Sequence, residues 1–177
     1  MNLDKSGRLA YFMINFMQKP HSSEDVQALL HPLVKRWFFG KYKDFSLPQL
    51  YAVKEIHDRN NILVSAATGG TKTLSGFISS LNQLVRVDME GKLENRVYAV
   101  YISPLKALNN DIFVNLEKPL KEMEELAAQQ GKKISIRVGV RTGDTTQSQK
   151  QKMLRHPPHI LITTPESLAL MLSSFKF

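Results

Sequence analysis

Residues 62–73 read ILVSAATGGTKT, an apolar run followed by a glycine-containing turn that ends in Lys-Thr. An apolar-periodic stretch begins at Leu74, so the pattern predicts a strand, a turn and the start of a helix. Backbone N–H groups and the positive end of the helix dipole then share one concavity, which suits polyphosphate. Lys72 would reach the β- and γ-phosphates, and the Thr73 hydroxyl would bind Mg²⁺. The alternative is an ordinary strand-to-helix turn with an exposed lysine.

Thr71 departs from the phosphate-loop pattern, which has glycine immediately before the lysine. Glycine is usual there because the backbone approaches phosphate closely and can need a torsion that a Cβ disfavours. A β-branched residue held at positive φ costs about 1–2 kcal/mol. We therefore expect weakened nucleotide binding, which the substitution Thr71→Gly should tighten.

The composition is that of a globular chain. Its 177 residues are 42% hydrophobic and 23% charged, enough for one ordinary domain with its own core. The chain has no cysteine, which excludes disulfides and thiolate metal sites and permits a reducing compartment. The apolar stretch 9–17 is too short to span a bilayer, and no signal peptide is visible. We expect a cytoplasmic protein with no membrane partner.

Basic residues are concentrated in the last quarter of the chain. The net charge of +8 divides into +4 over residues 1–88, −2 over 89–130 and +6 over 131–177. Such a balance attracts phosphate backbones, although a solvated lysine-rich surface would look the same. The five histidines show no ligand spacing. The acidic run Glu122, Glu124 and Glu125 is typical of a solvated helix face, so neither a histidine metal site nor a paired-carboxylate site is expected.

Helical and strand patterns alternate along the chain without a long linker or a repeat. Strands are predicted at 62–64, 97–102, 134–140 and 160–163. Helices are predicted after Ser22 or Ser23, from Pro32, around Pro48, from the phosphate loop to about residue 84, and over 105–123. Pro119 must kink or divide the last of these helices. The alternation predicts an α/β fold with a parallel sheet flanked by helices.

Polar segments follow each predicted strand, at the sheet edge where ligands of α/β proteins gather. Besides the phosphate loop, the candidate residues are Ser103, Pro104, Leu105 and Lys106; Arg141, Thr142 and Gly143; and Thr163, Thr164, Pro165, Glu166 and Ser167. Hydroxyls and helix N-termini suit a nucleic-acid backbone, because phosphate contacts need donors and positive dipoles. Taken one at a time, ordinary helix capping by Ser103, Thr142 or Thr164 explains each segment equally well.

Together these motifs resemble superfamily 2 helicases, and among them the large helicase-related (Lhr-type) proteins. The resemblance covers about residues 31–177, which leaves 1–30 as an N-terminal helical extension. Residues 30–38 are similar to the family's opening segment, and Phe45 with Pro48-Gln49 resembles its Q motif, whose glutamine reads adenine. Similarity to motif I covers Ala66, Ala67, Thr68, Gly69, Gly70, Thr71, Lys72 and Thr73; similarity to motifs Ia, TGD and Ib covers 101–112, 141–144 and 157–168.

The resemblance implies a RecA-like P-loop NTPase fold in an ATP-dependent helicase that tracks along a single strand. It implies ATP and Mg²⁺ as cofactors, bound by Phe45, Gln49 and residues 66–73, with Lys72 and Thr73 acting in catalysis. The implied partners are single-stranded or duplex DNA, or RNA, and the remainder of a helicase chain.

Two departures from the family pattern change these expectations. Three of the eight motif I positions differ, and no Asp-Glu-x-His motif occurs in the 177 residues. That motif would hold Mg²⁺ and position water, so the domain is expected to be truncated before the motif II strand and incomplete for hydrolysis. The uncovered sheet edge would then favour marginal stability or self-association. The alternative function is a non-hydrolytic nucleic-acid-binding or interaction module with a degenerate P-loop.

Overall fold

Helices and strands alternate in the computed structural model, which describes residues 15–67, 71–104 and 112–174. The helices in those ranges are α1 (Ser23–Leu29), α2 (Pro32–Phe39), α3 (Leu47–His57), α4 (Thr71–Met89), α5 (Lys118–Ala128), α6 (Gln147–Arg155) and α7 (Pro165–Leu172). The strands are β1 (Ala99–Ile102), β2 (Val138–Arg141) and β3 (Ile160–Thr163). A π-helical turn, Phe113–Glu117, leads into α5.

The three strands form a parallel sheet in the order β1-β3-β2. Ile102 and Arg141 are both register partners of Thr163, so all three strands end at the same level. Because each strand is followed by a helical segment, the sheet has the crossover architecture of an α/β protein. The predicted fold class is confirmed.

Helices cover both faces of this sheet. The ring of Phe77 on α4 lies 4.9 Å from that of Tyr101 on β1, on the face that also carries the buried Ile162. On the opposite face, a Cβ added to Gly139 would lie 3.5 Å from the Met153 side chain on α6 and 2.9 Å from carbons of Pro158. Only glycine fits there without a shift of Pro158, so this residue sets how closely the chain before β3 packs on β2.

The first helices are fixed by capping and by a buried amide. The Ser22 hydroxyl accepts the N–H of Asp25 at 3.1 Å, which confirms the predicted start of α1. The Asn82 side chain of α4 accepts the N–H of His31 at 2.6 Å and donates to the carbonyl of Leu29 at 3.0 Å. The link between α1 and α2 is therefore attached to α4. Since Val26 is fully buried in the shared core, α1 packs with the rest of the fold, and the boundary at residue 30 stays a prediction.

The strand prediction for residues 62–64 was wrong. Residues 61–67 have no regular secondary structure, and alternate side chains are half-buried while Leu63 is 92% exposed. This alternation is strand-like, but a strand also requires hydrogen bonds to a neighbour, and the described sheet contains only the three strands above. The apolar runs at 97–102 and 134–140 also form shorter strands than predicted, although Ile134 and Ile136 are buried.

The predicted interruption at Pro119 is confirmed. Pro119 lies in the first turn of α5, directly after the π-helical turn, where its missing N–H removes no regular α-helical bond. The interpretation of Glu122 as a solvated residue was wrong. Its carboxylate accepts the indole N–H of Trp37 at 2.8 Å and the ammonium of Lys41 at 2.5 Å, and so joins α5 to α2 and the turn that follows it.

Apolar side chains are exposed along the outer edge of the sheet. Val100 and Ile102 on β1 are 47% and 48% exposed, although β3 beside them is buried throughout. The expected self-association of this edge stays a prediction. In the described ranges, no helix combines the length and the apolar content needed to cross a membrane.

Candidate nucleotide and nucleic-acid site

Lys72 lies at the start of α4, where the phosphate loop was predicted. Its ammonium donates to the carbonyls of Ala66 at 2.6 Å and Ala67 at 2.9 Å. The extended segment before the loop therefore holds the cation close to the N-terminus of a 19-residue helix. Thr68, Gly69 and Gly70 lie outside the described residues. An ammonium beside the positive end of a helix dipole is a suitable anchor for an anionic group.

Thr71 is the first residue of α4 and has a helical backbone. Among the described non-glycine residues, only Arg59 has a positive φ, of 67°. The strain expected at Thr71 is therefore not found, and its carbonyl accepts the hydroxyl of Ser75 at 2.7 Å. Thr73 follows in the same turn and is half-buried. Crowding by the Thr71 side chain is the remaining reason to expect weakened nucleotide binding, and this weakening stays a prediction.

The two Q-motif candidates are packed into the fold. Gln49 is 3% exposed, and its side-chain oxygen accepts the N–H of Ser46 at 2.8 Å, as in a capping box at the start of α3. Phe45 is 6% exposed and stacks on Phe38, with ring centroids 4.6 Å apart. Both side chains have structural partners, and their contact with adenine stays a prediction.

The other candidates come together where the strands end. We define the carboxyl rim as residues 103–104, 141–144 and 163–167. The N–H of Ser103 donates to the carbonyl of Thr163 at 3.1 Å, and the Thr163 hydroxyl donates to the carbonyl of Arg141 at 2.7 Å. These bonds join the ends of β1, β3 and β2 in that order. Leu105 and Lys106 lie outside the described residues.

Most hydroxyls of the carboxyl rim face inward. Thr163 is fully buried, Thr164 is 4% exposed and Ser103 is 7% exposed. Thr164 caps α7 by accepting the N–H of Ser167 at 3.3 Å, and the N–H of Thr142 donates to the Thr145 hydroxyl at 2.8 Å. The exposed members of the carboxyl rim are Pro104, Gly143, Asp144, Pro165 and Glu166. The hydroxyls therefore hold the rim in shape, and its outer surface is mainly backbone and acidic side chains.

Histidines near the sheet have structural partners. His159 is 1% exposed, and its Nδ1 accepts the N–H of Arg137 at 3.0 Å. Burial lowers the pKa of His159, and the positive charge of Arg137 lowers it further, so the ring is neutral at pH 7. Over the described residues, no group of three or more His, Cys, Asp or Glu side chains could hold a metal ion.

A cluster of cations at the opposite edge of the sheet, where the three strands begin, was not predicted from the sequence. Arg96, Arg137 and Arg155 lie shortly before β1, β2 and β3. Since they are far apart in sequence, only the strand order brings them together. The available signal was that Arg96 and Arg155 lie within five residues before a predicted strand, and that Arg137 lies in the first half of the strand predicted at 134–140.

Comparison with known proteins identifies relatives along most of the chain. The ATP-dependent helicase Lhr-Core of Methanocaldococcus jannaschii is 53% identical over 165 residues, which cover 93% of this chain and 20% of the relative. The structure is similar to that of Mycobacterium smegmatis helicase Lhr bound to ssDNA and AMP-PNP, with a TM-score of 0.73 and 37% identity over 85% of this chain and 19% of that one. A DEAD-box helicase bound to ssRNA and UDP-BeF shares the fold, with a TM-score of 0.60 at 19% identity over 84% of this chain and 29% of that one.

These similarities confirm the resemblance to Lhr-type helicases and the RecA-like fold. The chain spans about a fifth of the length of these two Lhr-type relatives. The family model that matches describes the DEAD/DEAH box helicases and covers residues 46–177. This match includes the phosphate loop and the whole carboxyl rim, so the chain belongs to the DEAD/DEAH box helicase family.

Proposed function

We propose that this chain supplies the nucleotide-binding and single-strand-contacting part of an ATP-dependent helicase. The observation that carries the proposal is the position of Lys72, whose ammonium is held by two carbonyls at the N-terminus of α4. The family and its Lhr-type relatives support the assignment, since those relatives are ATP-dependent helicases.

The residues at the start of α4 fit a nucleotide with its Mg²⁺. Phosphate oxygens would replace the two carbonyls as partners of Lys72, because an ammonium group attracts an anionic phosphate more strongly than a neutral carbonyl. The hydroxyl of Thr73, one residue further along the helix, would be the Mg²⁺ ligand. When bound, Mg²⁺ would neutralise part of the negative charge of the phosphates.

Single-stranded nucleic acid would lie along the carboxyl rim. The N–H of Glu166 at the start of α7 and those of the exposed turn around Gly143 offer donors that read no base. The solved relatives bound to ssDNA and to ssRNA support a single strand as the ligand and leave both sugars as candidates. Hydrolysis would require the Asp-Glu-x-His motif, which these 177 residues lack.

Nucleotide affinity tests the proposal at the phosphate loop. Wild type, Lys72→Ala and Thr71→Gly would be titrated with a fluorescent ATP analogue in the presence of Mg²⁺. Loss of the charge-assisted bonds of Lys72 should weaken binding about tenfold or more, because such bonds contribute about 1.5–3 kcal/mol. Removal of the crowding Cβ in Thr71→Gly should tighten binding.

The matched control is Lys43→Ala, which removes an exposed lysine between α2 and α3. Its affinity should equal that of wild type. Equal affinities of wild type and Lys72→Ala would contradict nucleotide binding at this loop. The same titration repeated with a labelled single strand separates the two functions: a strand affinity that changes with Mg-ATP fits the helicase part, and an unchanged one fits the non-hydrolytic module.

A further inference from the structure

Positive charge is concentrated where the strands begin rather than where they end. The stretches that lead into the strands, 92–98, 132–137 and 155–159, contain Lys92, Arg96, Lys132, Lys133, Arg137 and Arg155 against a single Glu94. Where the strands end, Arg141 and the stretches 103–111, 142–146 and 164–167 carry two cations, Arg141 and Lys106, against Asp111, Asp144 and Glu166. Because the strands are parallel, the six cations lie at one edge of the sheet, opposite the carboxyl rim. We name them the basic edge.

Hydrogen bonds hold part of the basic edge together. The guanidinium of Arg137 donates to the side-chain oxygen of Asn95 at 2.5 Å and to the carbonyl of Pro157 at 2.9 Å. The amide of Asn95 donates in turn to the carbonyl of Arg155 at 3.3 Å. The segments before all three strands are therefore linked through two side chains, which fixes the spacing of their charges.

A cavity of about 420 Å³ opens beside this cluster. Arg59, Lys92, Arg96 and Tyr98 line it, with Arg96 stacked 4.6 Å from the centroid of the Tyr98 ring. Glu94 pairs with Arg96 at 2.9 Å, but both side chains are more than 60% exposed, so water and salt screen this pair. A concave surface with three cations, one of them a guanidinium stacked on an aromatic ring, suits a phosphate with its adjoining base.

The cations of the basic edge differ in their partners: Lys92 pairs with Glu90 at 2.8 Å and Arg96 with Glu94, whereas two lysines are available to a ligand. Lys132 and Lys133 are exposed, and the salt bridges found among the described residues involve neither of them. Exposed lysines without carboxylate partners contact phosphates in a sequence-independent way, and each such contact releases counterions. The carboxyl rim, by contrast, presents Asp144 and Glu166 at its surface.

We propose that the basic edge is a second binding surface for the backbone of single-stranded nucleic acid, separate from the carboxyl rim. This goes beyond the proposed function, which places one strand at the rim only. The basic edge would supply most of the electrostatic affinity, and the rim would position the strand beside the nucleotide.

Charge reversal tests the proposal in the complete chain without nucleotide. The variant Lys132→Glu/Lys133→Glu is compared with Lys19→Glu/Lys43→Glu, which makes the same change of charge at exposed lysines outside the basic edge. Fluorescence anisotropy with a labelled single strand of about 16 nucleotides measures affinity between about 50 and 200 mM salt. The basic-edge variant should bind about tenfold more weakly at low salt, and its salt slope should fall by about 1.4, or 0.7 for each lost phosphate contact.

The control variant should lose less than about threefold, since its charges act only through the overall field. Equal losses in the two variants would overturn the proposal. So would equal competition by polyglutamate and by unlabelled strand, because the surface would then select acidic polypeptides. Circular dichroism checks that every variant is folded. Two further double variants, Lys132→Gln/Lys133→Gln and Lys19→Gln/Lys43→Gln, remove the charges and give the same comparison without added repulsion.

Discussion

The two edges of one small sheet are built in different ways. At the carboxyl rim, the hydroxyls of Thr163 and Thr164 are buried and bonded within the fold, and acidic side chains are exposed. At the basic edge, Arg137 is bonded to neighbouring segments while Lys132 and Lys133 are exposed without a carboxylate partner among the described residues. The bonded groups of the rim thus suit it to position a ligand, and the exposed lysines of the basic edge suit it to attract negative charge. Motifs identify the first kind of surface, and strand order identifies the second.

The largest expected effect comes from a substitution in the strand that supports both the carboxyl rim and the basic edge. Ile162 is fully buried in β3, the central strand, so Ile162→Ala would leave a cavity beneath the rim and the basic edge alike. We expect it to lower the free energy of unfolding by about 2–5 kcal/mol, as measured by urea denaturation. The binding of single-stranded nucleic acid at both edges should weaken in parallel as the fraction of folded protein falls.

A matched truncation on the edge strand is the control for this prediction. Val100→Ala removes apolar carbons from a side chain that is 47% exposed, so it should cost less than about 1 kcal/mol. If the two variants were equally stable, β3 would not be the shared support of the two edges.

Buried strands and capped helices could be predicted from the sequence, because their signals are local. The run 160–163 formed a strand as predicted, since four consecutive buried residues suit the centre of a parallel sheet. Ser22 and Pro119 likewise acted within one turn of their own positions. The run 62–64 has the same apolar character, but its structure depends on a neighbour in the sheet that local sequence does not specify.

The sites were predictable only in part for the same reason. Lys72 lies at a helix start and the three strands end at one edge, as motifs and topology rules predict, while the roles of these residues stay predictions. The burial of Thr163 and Gln49, and the use of their polar atoms inside the fold, depend on packing between distant segments. The basic edge depends on the order β1-β3-β2, which composition and charge counts do not contain.

The second largest expected effect is a pH dependence of stability that arises at the basic edge, through His159. Burial, reinforced by Arg137, keeps the pKa of this histidine in the folded protein below its usual 6.5. The unfolded chain therefore binds the proton more readily, so this contribution to stability is complete above pH 6.5 and is lost as the pH falls through the folded pKa. The loss amounts to about 1.4 kcal/mol for each unit between the two pKa values.

His159→Asn should flatten this pH dependence, because an amide oxygen can accept the N–H of Arg137 without titrating. Urea denaturation at a series of pH values from about 7 to 5.5 measures it, since the carboxylates whose pKa is lowered stay ionised there. The pKa of His31 is also lowered by burial, so wild type minus variant isolates the part due to His159. The exposed His156→Asn is the control, and a pH slope that matches wild type in both variants would show that His159 does not titrate with unfolding.

The smallest expected effect tests whether Thr164 only caps α7 or also holds the carboxyl rim in the shape that binds a single strand of nucleic acid. Thr164→Ala removes the cap of α7 and should cost about 1 kcal/mol in urea denaturation, whereas Thr164→Ser keeps the hydroxyl and should cost less. Ser22→Ala removes a similar cap from α1, away from the rim. If Thr164 shapes a strand-binding rim, Thr164→Ala weakens single-strand affinity at low temperature, where both variants are folded, and Ser22→Ala does not. If Thr164→Ala and wild type bound single-stranded nucleic acid with equal affinity, Thr164 would act only as a helix cap. The basic edge would then be the surface to test for the nucleic-acid affinity of the chain.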